Sequence, residues 1–397
     1  MSPIRDLAEQ QSIFLYNRNF YLPILSFYFL LSPFYFFDSG LPQLSDLTLM
    51  TMFVFLIFSR PLTVYRSYNL LVFTGICFVS YIIIVNSFWA FWLSDFTVLY
   101  ASLFYMFNIM TVILFLLLYE KLGPLLFKVV YVSITTSVIL QFGLSFFFSS
   151  GSYRESLFYN NPNQLGYANL VSLAIILITY QSVKRGRIWF FVAVTGCLVL
   201  IAASLSKAAT ISGAVMFVTW LLLSKHWSVK INTMLIAVVF AFLFVTVPSF
   251  QESFKENERV TKLETRLNDI GQANDDNPAN RGYDRIINDS EYLVFGAGEG
   301  AYTRFDTKLS GYEIHSTFGN LLFSYGVIGM VLFIALIVLS VYRRPLAMSS
   351  PLFFILLYGI AHNGIRNTIF WIFLSLLFLS RIYVKEGKEG DDHANVH

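Results

Sequence analysis

Long apolar runs recur along this chain, separated by short polar segments and by one long polar interruption that begins near residue 249. Twelve runs read as candidate membrane helices: 20–37, 44–59, 69–86, 97–118, 127–148, 164–181, 188–205, 208–224, 231–248, 316–341, 346–361 and 367–384. About 20 apolar residues in a helix cross the hydrocarbon of a bilayer, and a helix satisfies its own backbone there. The runs are continuous and do not alternate, which argues against a membrane barrel. The eleventh run is short, and a re-entrant segment is the alternative reading for it. The expected fold is therefore an all-α polytopic membrane protein. It divides into helices 1–9 (1–248), a long loop (249–315), helices 10–12 (316–384) and a polar tail (385–397).

The long loop carries its own pattern. "RVTKLETRLNDIGQ" places Val260, Leu263, Leu267 and Ile270 at helical spacing, so an amphipathic helix is expected with its charges on a solvated face. Pro278 breaks the chain, and "RGYDRIINDSEYL" reads as a second short helix. Arg281 and Arg285 are four apart, so both guanidinium groups should share one face of it. That spacing suits bidentate phosphate contact, and pairing with Asp284, Asp289 or Glu291 is the alternative. In "FGAGEGAYTRF" the alternating Gly296, Gly298 and Gly300 predict a tight turn with its backbone close to a neighbour. No strand and helix flank it, so it is not a dinucleotide motif. Glu299 is the carboxylate of interest within it.

Composition agrees with a membrane protein. The chain has 397 residues, 56% hydrophobic and 13% charged, with mean hydropathy +0.63. Soluble domains carry about 25% charged residues. The first run lacks a small-residue cleavage pattern and reads as a span. Cys77 and Cys197 fall within spans, so no structural disulfide is expected.

Basic residues orient such chains through their short loops. With the N-terminus inside, sixteen of the 27 fall on the inner side: Arg5, Arg18, Arg60, Arg66, Lys121, Lys128, Lys184, Arg185, Arg187, Lys225, Lys230, Arg343, Arg344, Arg381, Lys385 and Lys388. Both termini are then inside and the long loop outside. Arg154, Lys207 and Arg366 are exceptions on the outer side, where they meet lipid phosphate or an anionic substrate. His315 stands where the long loop turns into the tenth run. It is a candidate proton acceptor at a membrane surface, with helix capping as the alternative. In "FYNNPNQLGY", Asn161 can cap a helix that begins with Pro162, and Asn163 and Gln164 can contact sugar hydroxyls.

These segments together resemble the O-antigen polymerase and O-antigen ligase superfamily over about 150–340. In that family a periplasmic loop ends in His, then Asn, Ser or Gln, then nine residues and Gly-x-x-Gly. Here His315-Ser316 precedes Gly326-Val327-Ile328-Gly329. An upstream arginine and Gly-x-Gly turn match as Arg281 and Gly296-Ala297-Gly298, although Arg285 replaces the usual aromatic. "NNPNQ" resembles the family's Asn-Pro-Asn segment. "SLSKAATIS" resembles its Ser-x-Ser-Arg segment with Lys207 for arginine, which keeps the charge and loses the planar fork.

The resemblance implies a GT-C-like bundle of about 12 transmembrane helices with a helical periplasmic cap, in a bacterial inner membrane. It implies a glycosyltransferase whose donor is a glycan on undecaprenyl diphosphate. The acceptor is another lipid-linked repeat unit for a polymerase and lipid A-core for a ligase. Further partners are membrane lipids and a chain-length regulator protein, with no nucleic acid, no cofactor and no metal. The implied catalytic residues are His315 and Arg281. Arg285, Lys207, Arg154 and Arg366 would bind diphosphate, and Asn163, Gln164 and Glu299 would bind sugar. The replaced arginine at Lys207 favours the polymerase. A transporter or flippase is the rival class, but the chain shows no internal repeat and no charge near the middle of any run.

Overall fold

A computed structural model describes residues 20–38, 40–59, 68–148, 153–180, 186–247, 252, 256–269, 277–307, 309 and 311–394, with no side chains described at 59 or beyond 381. Ile270 and the orientation residues Arg5, Arg18, Arg60, Arg66, Lys184 and Arg185 lie outside the described residues, as do the side chains of Lys385 and Lys388.

Among the described residues the fold is all helical, and each of the predicted runs contains a helix. They are α1 (Phe20–Leu31), α2 (Leu44–Ser59), α3 (Asn69–Leu93), α4 (Tyr100–Leu122), α5 (Leu125–Leu144), α6 (Pro162–Thr179), α7 (Arg187–Ala203), α8 (Lys207–Leu223) and α9 (Trp227–Thr246). The loop contributes α10 (Glu258–Asn268) and α11 (Asp284–Asn288), and α12 (Thr317–Val341), α13 (Leu346–Ala361) and α14 (Thr368–Ala394) follow. Among the described residues, five helices are long and apolar enough to cross a membrane: α3, α4 with the turn before it, α5, α9 and α12. α14 continues as helix to Ala394, through most of the polar tail. Extending a formed helix costs far less than nucleating one.

α6 is the hub. Every residue from Leu165 to Thr179 is buried, and the helix packs against α5, α7, α8, α13 and α14. An apolar helix with no polar face belongs inside a bundle. α3 packs on α12, α4 on α14, and α8 on α13. α9 stands apart, with Val229 its only buried residue and α8 its main neighbour.

Two backbone features set the cap on the bundle. α12 is broken at Gly326, where φ is 63° and ψ −171°. The break frees carbonyls that the next turn would have used, and the 294–300 segment takes them. The Ala297 N–H donates to the Phe323 carbonyl and the Gly298 N–H to that of Ser324, each at 2.9 Å. Tyr81 and Trp89 of α3 donate to the Phe295 and Gly296 carbonyls at 2.8 and 3.0 Å. A Cβ on Gly326 would stand 2.2 Å from the Val294 oxygen, and one on Gly296 would stand 2.3 Å from the Ser324 oxygen. The neighbour of the glycine turn is therefore the broken helix.

The second feature corrects an expectation. Arg281 ends a 3-10 turn (Pro278–Arg281), and Gly282 with φ 81° separates it from α11. The left-handed residue redirects the chain, so Arg281 and Arg285 do not share a helix face.

Candidate functional site

The ends of α1, α5, α7 and α13 and the starts of α2, α4, α6, α8 and α14 meet on the cap side, where a cavity of about 1980 Å³ opens. Its wall carries five cations, Arg154, Lys207, Arg266, Arg281 and Arg366, against two carboxylates, Asp46 and Glu313. His315, Asn163 and Gln164 also line it. Seven of the nine predicted site residues thus reach one cavity from four separate segments.

Local structure explains how each is held. Asn161 accepts the Gln164 N–H at 2.9 Å and starts α6 just before Pro162, as expected of an N-cap. That cap aims Asn163 outward, where its Oδ1 accepts from Arg154 Nη2 at 2.6 Å. Arg154 Nε donates to the Ser204 carbonyl at 3.0 Å, which ties the loop before α6 to the α7–α8 corner. Lys207, the first residue of α8, donates to the Asp269 carbonyl of the cap at 3.1 Å. Arg281 donates to the Ala361 carbonyl at the end of α13, and Tyr283 to the Ile360 carbonyl at 2.8 Å.

His315 sits one residue before the α12 cap. Ser316 is the cap, accepting the Gly319 N–H at 3.1 Å and donating to the Gly359 carbonyl at 3.2 Å. The His315 backbone N–H donates to the Arg281 carbonyl at 3.0 Å. Its ring is exposed to the cavity and makes no hydrogen bond among the described residues. Burial, then the charges of Arg281 and Arg285, pull its pKa below the ordinary histidine value. The ring is thus neutral at pH 7 and can accept a proton.

Two predicted residues stand elsewhere. Arg285 has no exposure and lies in the cap rather than on the cavity wall. Its Nε donates to Thr307 Oγ1 at 3.1 Å, its Nη2 donates to the Leu309 carbonyl, and the rings of Tyr302 and Phe305 lie 5.3 and 5.6 Å from it. Glu299 is 2% exposed and also leaves the wall. It accepts from Asn320 Nδ2 at 2.7 Å, from the Tyr325 hydroxyl at 2.6 Å and from Arg366 Nε at 3.0 Å. Its carboxylate is thus engaged by three side chains, Arg366 among them.

Arg366 also contacts Glu313 at 2.5 Å and stacks on Phe104. Burial pushes the Glu299 carboxyl up, but Arg366, Tyr325 and Asn320 outweigh it and hold the group below its ordinary value. Glu313 has fewer donors, so burial wins and its carboxyl is raised. Burial also opposes the charge on Arg366, yet the two carboxylates hold it cationic.

Arg266 and Glu313 were not predicted. Arg266 is three residues from Leu263, beside the apolar stripe of α10, so its position signals a boundary rather than a solvated face. Tyr358 and Asn363 join them on the wall, and the Tyr358 ring stacks on His362 at 5.0 Å. The Trp89 indole is held within the cap contact, donating to the Gly296 carbonyl with Arg304 4.7 Å over its ring.

The sequence matches no protein-family model and no curated protein.

Proposed function

We propose that this protein is a membrane glycosyltransferase that polymerises undecaprenyl-diphosphate-linked repeat units into O-antigen or a related surface polysaccharide. In this reading the chain crosses the bacterial inner membrane twelve times, with its cap in the periplasm. The observation that carries it is a single cavity with two chemistries. Its wall carries five cations and a histidine whose ring makes no hydrogen bond among the described residues. Met50, Ile76, Leu103 and Met106 of α2, α3 and α4 also line the cavity while remaining 43–60% exposed. An opening lined by exposed apolar side chains suits a lipid chain, and the cations suit its diphosphate.

The chemistry follows from charge. As the bond from sugar to diphosphate breaks, negative charge grows on the leaving phosphate, and fixed cations there stabilise the transition state. Arg281, Arg154, Lys207 and Arg366 are already anchored by carbonyl or carboxylate partners, so they need little reorganisation. An acceptor hydroxyl must lose its proton, and the neutral His315 ring beside Arg281 takes it. No metal or nucleotide enters this scheme.

The test is a gel of surface polysaccharide from a strain lacking the gene. A single repeat unit on lipid A-core supports the polymerase. Unattached polymer on the lipid carrier supports a ligase instead. An unchanged ladder refutes both and favours the transporter.

A further inference from the structure

The cavity has a second polar end that holds no cation. It is built from the end of α1, the start of α2, the end of α5 and the loop before α6, mostly from the first 150 residues, where the sequence carries no motif. Tyr28 lines the cavity at 2% exposure, and Tyr35, Asp46, Gln141 and Tyr159 line it beside Tyr28. The Tyr35 and Tyr159 rings are 5.2 Å apart, and the Tyr159 hydroxyl donates to Gln141 Oε1 at 3.4 Å. Tyr28 is within electrostatic reach of Asp46, Tyr35 and Tyr159.

Three polar groups here lack partners. Among the described residues the hydroxyls of Tyr28 and Tyr35 make no hydrogen bond. Asp46 accepts the Gln43 N–H on Oδ2 at 2.9 Å, and its Oδ1 accepts nothing. Tyr35 and Asp46 are half-buried, so these unpaired atoms face the cavity rather than an apolar core. The surrounding loop is rigidly built: Gln43 Oε1 accepts the Phe36 and Phe37 N–H groups, and Gln43 Nε2 donates to the Phe37 and Leu41 carbonyls. A fixed set of phenols, an amide and one carboxylate, with aromatic faces and no cation, matches the hydroxyls and ring faces of an uncharged sugar. A phosphate would be repelled by Asp46.

We propose that this end is a sugar subsite, in which Tyr28, Tyr35 and Asp46, backed by Gln141 and Tyr159, bind hydroxyls of a neutral sugar in the acceptor glycan. It rests on the glycosyltransferase reading and adds where the glycan is selected. The loop 153–163 joins the two ends, because Tyr159 lies in the sugar end while Arg154 and Asn163 lie in the cation end. The sugar is thereby placed within reach of the diphosphate without sharing its residues.

The experiment uses the full chain in lipid nanodiscs with two probes: undecaprenyl diphosphate, and the lipid-linked unit extracted from the deletion strain. The variants are Tyr28→Phe with Asp46→Asn together, and Tyr28→Phe alone. Asn at 46 can still accept the Gln43 N–H. The double variant should raise KM for the lipid-linked unit at least tenfold and the single variant about threefold. Affinity for undecaprenyl diphosphate should stay within twofold of the wild type. Unchanged KM in both variants overturns the subsite. Joint loss of diphosphate affinity also overturns it, because the residues would then be structural. If the wild type neither binds undecaprenyl diphosphate nor consumes the extracted unit, the glycosyltransferase reading itself fails and the subsite falls with it.

Discussion

Removing Glu299 while leaving Arg366 in place should unsettle the whole cap side of the protein. Glu299 is 2% exposed and receives donors from Asn320, Tyr325 and Arg366. Breaking a buried ion pair from one side costs about 3–5 kcal/mol, because the remaining charge is stranded. For Glu299→Gln the lower end applies, since the Arg366 side chain is 32% exposed and keeps Glu313 at 2.5 Å. Arg366→Met should cost more, because it strands a carboxylate with no exposure. The double variant should be less destabilised than the two singles added together, with a coupling of about 1–3 kcal/mol. Thermal unfolding of the detergent-purified protein, followed by tryptophan fluorescence, reads this as a fall of about 5 °C for Glu299→Gln. The Glu299 carboxyl is held below its ordinary value, so its contribution is complete at pH 7 and disappears as pH falls through the depressed native value. The gap between wild type and Glu299→Gln should therefore close in acid. Additive effects of the two substitutions, or a gap that does not change with pH, would refute the assignment of Glu299 as the anchor of Arg366.

Three further outcomes follow from the geometry. If His315 accepts the proton, the acid limb of the rate profile should lie below about pH 6.5, because burial and Arg281 lower its pKa; a limb at or above that value removes it as the base, and His315→Gln should abolish the limb with the activity. Arg281→Ala should abolish transfer in a protein that still inserts and unfolds near the wild-type temperature, whereas Arg285→Ala should lower yield and thermal midpoint first, because its guanidinium is sealed inside the cap; equal stability of the two variants would contradict that division. Gly326→Ala should destabilise by more than about 2 kcal/mol, since the residue adopts φ 63° and a Cβ would stand 2.2 Å from the Val294 oxygen; Gly143→Ala, whose Cβ meets nothing within 4 Å, is the tolerated comparison.

The hydrophobic pattern alone determined that the chain is helical and that each apolar run holds a helix, because a helix in an apolar setting is specified by its own residues. Local chemistry likewise determined the Asn161 cap; loop position named Arg154, Lys207, His315 and Arg366, and spacing with the family resemblance named Arg281. What these could not decide was direction. Gly282 turns Arg281 toward the cavity and leaves Arg285 inside the cap, and no spacing rule anticipates a left-handed residue between them. Glu299 reads as a free carboxylate until α12 breaks at Gly326 and draws the glycine turn against Asn320 and Tyr325. Tyr28, Tyr35 and Asp46 lie in runs that read as plain lipid spans. Their common pocket with Tyr159 exists only because α1, α2 and α5 converge there. Element identity is a property of neighbours within a turn or two. A cavity is a property of residues more than 100 positions apart, and packing alone brings them together.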